Sequence, residues 1–211
     1  SHTMDWGLRM TVIFGIPAAV GLMVLAGPMI AALFQSDVFD ANDVAMAERG
    51  LMAYSFGLQA FILIKVLAPG FYARQDTRTP VKIGVIAMVA NMLLNLALIF
   101  PLQHAGLALA TSLSAYLNAF LLLRSLRRDD AYSPGPGWTR LAVQVGAGGL
   151  LMAAMLVWAS PELGSWVEVD RLRRVGMLAG LIVLGAAVYF AVLLVSGLRP
   201  RDLRVRNPRE S

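Results

Sequence analysis

The sequence predicts an all-α integral membrane protein with about six transmembrane helices, and three observations carry that prediction. The chain is 58% hydrophobic and only 15% charged, with a mean hydropathy of +0.67, whereas soluble domains carry about 25% charged residues. Its apolar residues fall into six continuous runs, roughly Leu8–Phe34, Gly50–Tyr72, Val81–Leu102, Ala105–Leu123, Leu141–Ser160 and Val175–Leu198. Each is near the ~20 residues that span a ~30 Å hydrocarbon core. Finally, the charges gather at the ends of these runs, and all of the 18 basic residues except Lys65 and Lys82 are arginine.

The runs are read as helices because apolar residues do not alternate with polar ones, and in lipid the backbone must satisfy its own hydrogen bonds. The first run is too long for a signal peptide, and no small-residue cleavage site followed by a soluble domain comes after it. Pro17, Pro28, Pro69 and Pro101 would break soluble helices, but neighbours in a membrane bundle re-satisfy the freed groups. Between the second and third runs lies the charged turn ARQDTRTPVK. Pro80 in it disfavours helix at Thr79 and suits the first turn of the next helix. Asp76 or Thr77 is the expected local cap.

Orientation follows from the basic residues. Placing the N-terminus and the even-numbered loops on one side puts there Arg9; Arg74, Arg78 and Lys82; Arg124, Arg127, Arg128 and Arg140; and Arg199, Arg201, Arg204, Arg206 and Arg209. The other side holds Arg49, Arg171, Arg173 and Arg174, and the acidic stretch SDVFDANDVAMAE. The positive-inside rule makes the first side cytoplasmic, so both termini are expected there. The same clustering explains a pI near 10.1 without a nucleic-acid face.

Two features carry chemistry inside the apolar runs. Lys65 follows FILI and precedes VLAP, about seven residues or ~10 Å from its helix end. An ammonium there costs ~2.5–3.5 kcal/mol on insertion scales, so it either faces a cavity or snorkels toward the headgroups. Asn91 and Asn95 lie one turn apart on one helical face, and Thr111, Ser114 and Asn118 form a similar stripe on the next run. Two readings stay open: interhelical hydrogen bonds at ~0.6 kcal/mol each, or a small cation site of amide and hydroxyl oxygens. Neither stripe has a carboxylate, which weakens the second. Gly146, Gly148 and Gly149, with Gly176, Gly180 and Gly185, allow the last two helices to approach closely.

Enzyme chemistry finds little support. No catalytic residue is assigned, because His104 has no acid within an apolar run and no phosphate-cradling glycine loop with Lys-Ser/Thr occurs. The absence of cysteine excludes disulfides and thiolate metal sites, and His2 and His104 are too far apart in sequence to suggest a metal cluster. No metal or organic cofactor is expected.

The segments DWGLRMTVIFGIPAAVGL, ALFQSDVFD, YSFGLQAFILIKVLAPGFYARQDTRTPVKI, HAGLALATSLSAYLNAFLLL and PGPGW resemble the C-terminal half of the MurJ/MviN family. These are lipid II flippases of the multidrug/oligosaccharidyl-lipid/polysaccharide exporter superfamily. The most specific piece, KVLAPGFYARQDTRTPVK, combines a membrane lysine, a helix-ending Pro-Gly, an aromatic pair and a charged turn. The resemblance is close from Asp5 to about Trp138 and continues beyond as pattern only.

It implies a fourteen-helix, two-lobe transporter of which this chain holds the last six helices. Residues 1–128 are then four helices ending the second lobe, 129–140 a cytoplasmic loop, 141–198 a terminal pair bordering a lipid groove, and 199–211 a basic cytoplasmic tail. The implied activity is flipping of a lipid-linked peptidoglycan precursor across the bacterial cytoplasmic membrane by alternating access. The implied partners are that precursor, membrane lipids and the missing N-terminal lobe, without nucleic acid. Lys65, Arg74 and Arg78 are candidates for contacting substrate, and Asn91, Asn95 and Thr111 for an ion or interhelical polar site. Any coupling ion would be a monovalent cation of unassigned identity. The segment alone is not expected to flip lipid. The alternatives are another exporter of polyprenyl-linked saccharides or drugs in the superfamily, a non-transporting scaffold, or an enzyme acting on a polyprenyl phosphate.

Overall fold

The computed structural model describes residues 2–34, 41–160, 166 and 170–198. In chain order its helices are α1 (His2–Val24), α2 (Ala26–Phe34), α3 (Ala41–Tyr72), α4 (Arg78–Arg128), α5 (Trp138–Ala159) and α6 (Arg171–Val195). Five of them are long and apolar enough to cross a membrane. At 1.5 Å per residue the 51 residues of α4 would reach ~75 Å, more than twice a bilayer core. The helix does not run straight. Pro101 interrupts its hydrogen bonding and Gln103 takes a left-handed backbone angle (φ 50°, ψ −127°), so the chain reverses into two antiparallel limbs. The third and fourth apolar runs are these limbs, so the described residues hold six segments long and apolar enough to cross a membrane.

Several boundaries move. The run Leu8–Phe34 divides at a turn on Leu25 into α1 and α2. The second run starts earlier than Gly50, because Ala41–Glu48, expected in the acidic loop, forms the first turns of α3. The remainder of that loop, and the expected tail 199–211, lie outside the described residues. Pro69-Gly70 does not end its helix. Proline removes one amide, yet α3 continues to Tyr72, and the chain leaves the helix only where Gln75 adopts φ 58°. Likewise α5 begins at Trp138, three residues before the apolar run, because Gly137 at φ 92° turns the chain into it.

The helix α1 is the spine. Its Leu8 joins a buried cluster with Leu67 and Phe71 of α3 and Leu122 and Leu126 of α4. Its Ile13 joins another with Val145 and Leu156 of α5 and Leu181, Tyr189 and Leu193 of α6. Between α3 and the second limb of α4, Ser112 donates to the Ala53 carbonyl at 2.6 Å and Tyr116 to the Phe56 carbonyl at 2.9 Å. Both contacts advance in the same chain direction, so these segments run parallel. Between α5 and α6, the Gln144 side-chain amide donates to the Ser196 carbonyl at 2.7 Å, and Arg140 approaches the same oxygen at 3.4 Å. The last carbonyls of α6 thus gain a partner that the helix itself cannot supply.

Pro17 explains the most buried polar contact. It carries no amide hydrogen, so the carbonyl four residues earlier, Ile13, loses its helical donor. Tyr189 of α6, fully buried, donates its hydroxyl to that carbonyl at 2.8 Å. The ring fits because residue 148 is glycine: a Cβ there would stand 3.1 Å from two atoms of the tyrosine ring. Replacing Tyr189 by Phe should lower stability by about 1–2 kcal/mol. In a Pro17→Ala background, where the amide at 17 serves Ile13 again, the same change should cost below about 0.5 kcal/mol. Unfolding midpoints of the four variants in detergent check this cycle, and equal costs in both backgrounds would contradict it.

Candidate functional site

The start of α1, the end of α3, both ends of α4, the start of α5 and the end of α6 meet at one face of the bundle. Gly70 near the end of α3 packs against Met4 of α1 and Leu126 of α4. Arg140 at the start of α5 meets the end of α6. Arg9, Arg74, Arg78, Arg124, Arg127, Arg128 and Arg140 consequently share that face, as the charge pattern anticipates.

Within it, the turn at 73–77 is built from local hydrogen bonds. The amide of Ala73 reaches the Pro69 carbonyl at 3.0 Å and that of Asp76 reaches Phe71 at 3.1 Å. Of the two expected caps, Asp76 does the work: its Oδ1 accepts from the amides of Arg78 at 3.1 Å and Thr79 at 3.0 Å. Thr77 occupies the cap position without a side-chain bond. Hydrogen bonds from the Thr79 side chain and amide, with a smaller contribution from Arg74, hold the Asp76 carboxyl below its ordinary pKa. Arg74 and Arg78 flank this turn with exposed side chains, available to an anionic headgroup.

Lys65 lies seven residues before the end of α3 and is exposed on the isolated chain. It forms no hydrogen bond or ion pair among the described residues. Pro69, four residues on, carries no amide to donate to the Lys65 carbonyl. Helical spacing puts Lys65 on the face of Phe61, and Phe61 and Ile64 form one wall of a cleft of about 230 Å³. The other walls carry Asn91, Thr111, Ser114 and Asn118.

The two polar stripes do meet across the α4 reversal. Asn91 Nδ2 lies 3.4 Å from both Thr111 Oγ1 and Ser114 Oγ, and Asn95 Nδ2 donates to Asn91 Oδ1 at 3.0 Å. Thr111 and Ser114 also bond back to the Leu107 and Thr111 carbonyls, each at 2.9 Å. The bonds across the stripes are long, as expected for weak interhelical contacts. One acceptor is left over: the buried Asn95 Oδ1 has no hydrogen-bond partner. The site is therefore an oxygen-lined cleft without a carboxylate, with Lys65 one turn along α3 from its Phe61 wall and Arg74 and Arg78 at the turn after that helix.

A second cleft, of about 290 Å³, is apolar. Phe14, Pro17, Leu22, Met152, Ile182 and Phe190 are among its lining residues, from α1, α5 and α6. Its chemistry suits hydrocarbon.

The structure brings Asn91, Asn95 and Thr111 together, and it adds the Ser112–Ala53 and Tyr116–Phe56 stitches, which hold α3 beside them and which the sequence did not indicate. Their backbone acceptors leave no mark in a sequence. Sequence reasoning also gave no role to Asp5, although an acid with an arginine four residues later at the head of an apolar helix is a readable signal.

The sequence profile of the family described as lipid II flippase MurJ matches residues 1–194. A probable lipid II flippase MurJ of Vibrio cholerae serotype O1 is 46% identical over 204 residues, covering 97% of this chain and 39% of the relative. One from Haemophilus influenzae is 47% identical over 206 residues, covering 98% and 40%. The lipid II flippase MurJ of Burkholderia cenocepacia is 40% identical over 208 residues, with the same coverage. The chain thus spans about two-fifths of the length of these relatives. Among solved structures, a lipid II flippase MurJ in an inward closed conformation superposes with a TM-score of 0.70 at 20% identity, over 90% of this chain and 39% of that one. The shared fold is a multi-helix, all-α one.

The Asp76 cap gives a test with a defined sign. Because its folded pKa is depressed, the stabilisation it contributes is complete above the unfolded carboxylate pKa of ~3.9 and is lost as pH falls through the folded value. Hydrogen exchange at the Arg78 and Thr79 amides should accelerate in Asp76→Ala at neutral pH. In the unmodified chain it should exceed the intrinsic pH trend only in acid.

Proposed function

The chain belongs to the lipid II flippase MurJ family, and on that premise we propose that it forms the later helices of a transporter that moves a lipid-linked peptidoglycan precursor across the bacterial cytoplasmic membrane by alternating access. The remaining lobe of the transporter is then its structural partner. The arginine-rich face is cytoplasmic in this reading, so the start of α1 and the end of α6 lie on the side where such a precursor is loaded. The observation that carries this reading is the oxygen-lined cleft beside Lys65, set in a bundle that otherwise presents apolar side chains outward. Leu96, for example, is 66% exposed and Val183 68%.

The roles divide by chemistry. Arg74 and Arg78, exposed at the turn, meet a pyrophosphate as it arrives, since guanidinium engages phosphate oxygens in pairs while an ammonium acts as a point charge. Lys65 offers that point charge deeper in the membrane, where a desolvated anion gains more from it than at the surface. The apolar cleft between α1 and α6 suits the hydrocarbon part of a lipid. This is binding and translocation rather than bond-breaking chemistry, in keeping with a transporter family. A coupling role for a monovalent cation at Asn91, Asn95 and Thr111 is a second reading, favoured by the unpartnered Asn95 Oδ1, which would complete a shell of neutral oxygens.

Complementation of flippase-depleted cells by a full-length protein carrying this segment tests the assignment, with protein level and topology checked. Lys65→Ala should impair growth more than Lys65→Arg. Lysine at both 74 and 78 should cause a modest loss, and glutamine at both a larger one. Full activity of the double glutamine variant would remove the loading role, and equal, near-normal growth of both Lys65 variants would assign Lys65 to snorkelling.

A further inference from the structure

The sequence motifs DWGLR and PGPGW, at opposite ends of the first four crossing segments, meet in space. Asp5, in the first turn of α1, receives Oδ1 hydrogen bonds from the Tyr132 hydroxyl at 2.8 Å, the Trp138 indole at 2.9 Å and the Gly135 amide at 3.2 Å. Its Oδ2 receives the Arg9 Nε at 2.8 Å. Arg9 in turn donates to the Pro136 carbonyl at 2.7 Å and lies over the Trp138 ring, 5.5 Å from its centroid. Gly135 is needed for this approach, because a Cβ there would stand 3.0 Å from Asp5 Oδ2. Tyr132 is buried, and burial followed by its bond to Asp5 raises the phenol pKa well above the ordinary value, so it stays a donor. Four donors converge on one carboxylate, all but one from the short segment that leads into α5.

We infer that Asp5 is a positioning residue: its carboxylate clasps the 132–138 segment to α1 and so registers the terminal pair α5–α6 against the rest of the bundle. Three contacts make the pair and α1 one body. The clasp holds the start of α1 to the start of α5. The Tyr189–Ile13 bond holds the middle of α1 to α6. The Gln144–Ser196 bond holds α5 to α6. The seam between α1 and α3 is broad and apolar instead, with Leu8 packed on Leu67 and Phe71, and among the described residues it has no comparable polar clasp. The Gln59 amide reaches Gly15 of α1, yet both of its polar atoms are buried without a partner. Resting on the transport reading above, the consequence is that α1 carries the terminal pair with it when the bundle changes shape.

The chain has no cysteine, so paired cysteines test the clasp directly in membranes. A Cβ on Gly149 of α5 would lie 3.6 Å from Ile16 Cγ2 of α1, and one on Gly7 of α1 lies 3.2 Å from Val66 Cγ1 of α3. Oxidative cross-linking of Ile16→Cys with Gly149→Cys should slow about tenfold when Asp5→Asn is added, the loss of charged hydrogen bonds. Asp5→Glu should restore part of the rate. The Gly7→Cys with Val66→Cys pair should be unaffected. Trp138→Phe, which removes a single donor, should slow the first pair less, and it serves where Asp5→Asn fails to accumulate. An unchanged first pair, or equal slowing of both pairs, overturns the clasp. In a full-length protein carrying this segment, Asp5→Asn should also reduce flipping. Slowed cross-linking with normal flipping would leave the clasp standing and overturn the coupling of the terminal pair to transport.

Discussion

A carbonyl released inside hydrocarbon has no water to bond, and much of this structure is arranged around that constraint. Pro17 releases the Ile13 carbonyl and Tyr189 takes it. Gly148 then has to be glycine for the tyrosine ring to fit, and this sets how closely α5, α6 and α1 pack. The same demand shapes the ends of the helices. Ser196 closes α6 with an acceptor that Gln144 satisfies, and Asp76 accepts the first free amides of α4. Each polar side chain in these places meets a backbone group that the local sequence has left unpaired.

Against that background the oxygen-lined cleft is conspicuous. Asn91, Asn95, Thr111 and Ser114 lie on limbs that the Gln103 reversal brings face to face, and their mutual bonds are long. Weak contacts of this kind contribute little to stability, while the unpartnered Asn95 Oδ1 costs free energy in a low-dielectric setting. A bundle selected for packing alone would fill these positions with apolar residues. Lys65 adds an ammonium on the same side of α3. Polarity at membrane depth, facing one another and an isolated cation, is an arrangement whose cost is offset by water or a polar ligand.

How much was legible in the sequence depends on the physics behind each feature. The six crossing segments were readable because hydrocarbon thickness sets run length, and the clustering of arginines followed because charge stays at the membrane edge. The meeting of Asn91 with Thr111 was readable from periodicity, which sets polar stripes on two consecutive helices. Boundaries were less so: hydropathy marks where lipid begins, whereas α3 extends from Ala41 through polar residues because backbone bonding outlasts the apolar stretch. At the other end, the apolar run and α3 stop together at Tyr72, with Pro69 in the last turn. The Asp5 cluster joins residues 127–133 positions apart, and such contacts are set by tertiary packing rather than by any local pattern.

The central claim is that the face of α3 and α4 bearing Lys65, Asn118 and Thr111 borders water rather than lipid. Single cysteines at Lys65, Asn118 and Leu96, placed in a full-length protein carrying this segment and held in membranes, test it through a small, charged, membrane-impermeant thiol reagent. Reaction requires the thiolate and hence water. The account predicts that Lys65→Cys and Asn118→Cys react readily while Leu96→Cys, apolar and exposed outside the cleft, does not. Lys65→Cys and Asn118→Cys as inert as Leu96→Cys would contradict it.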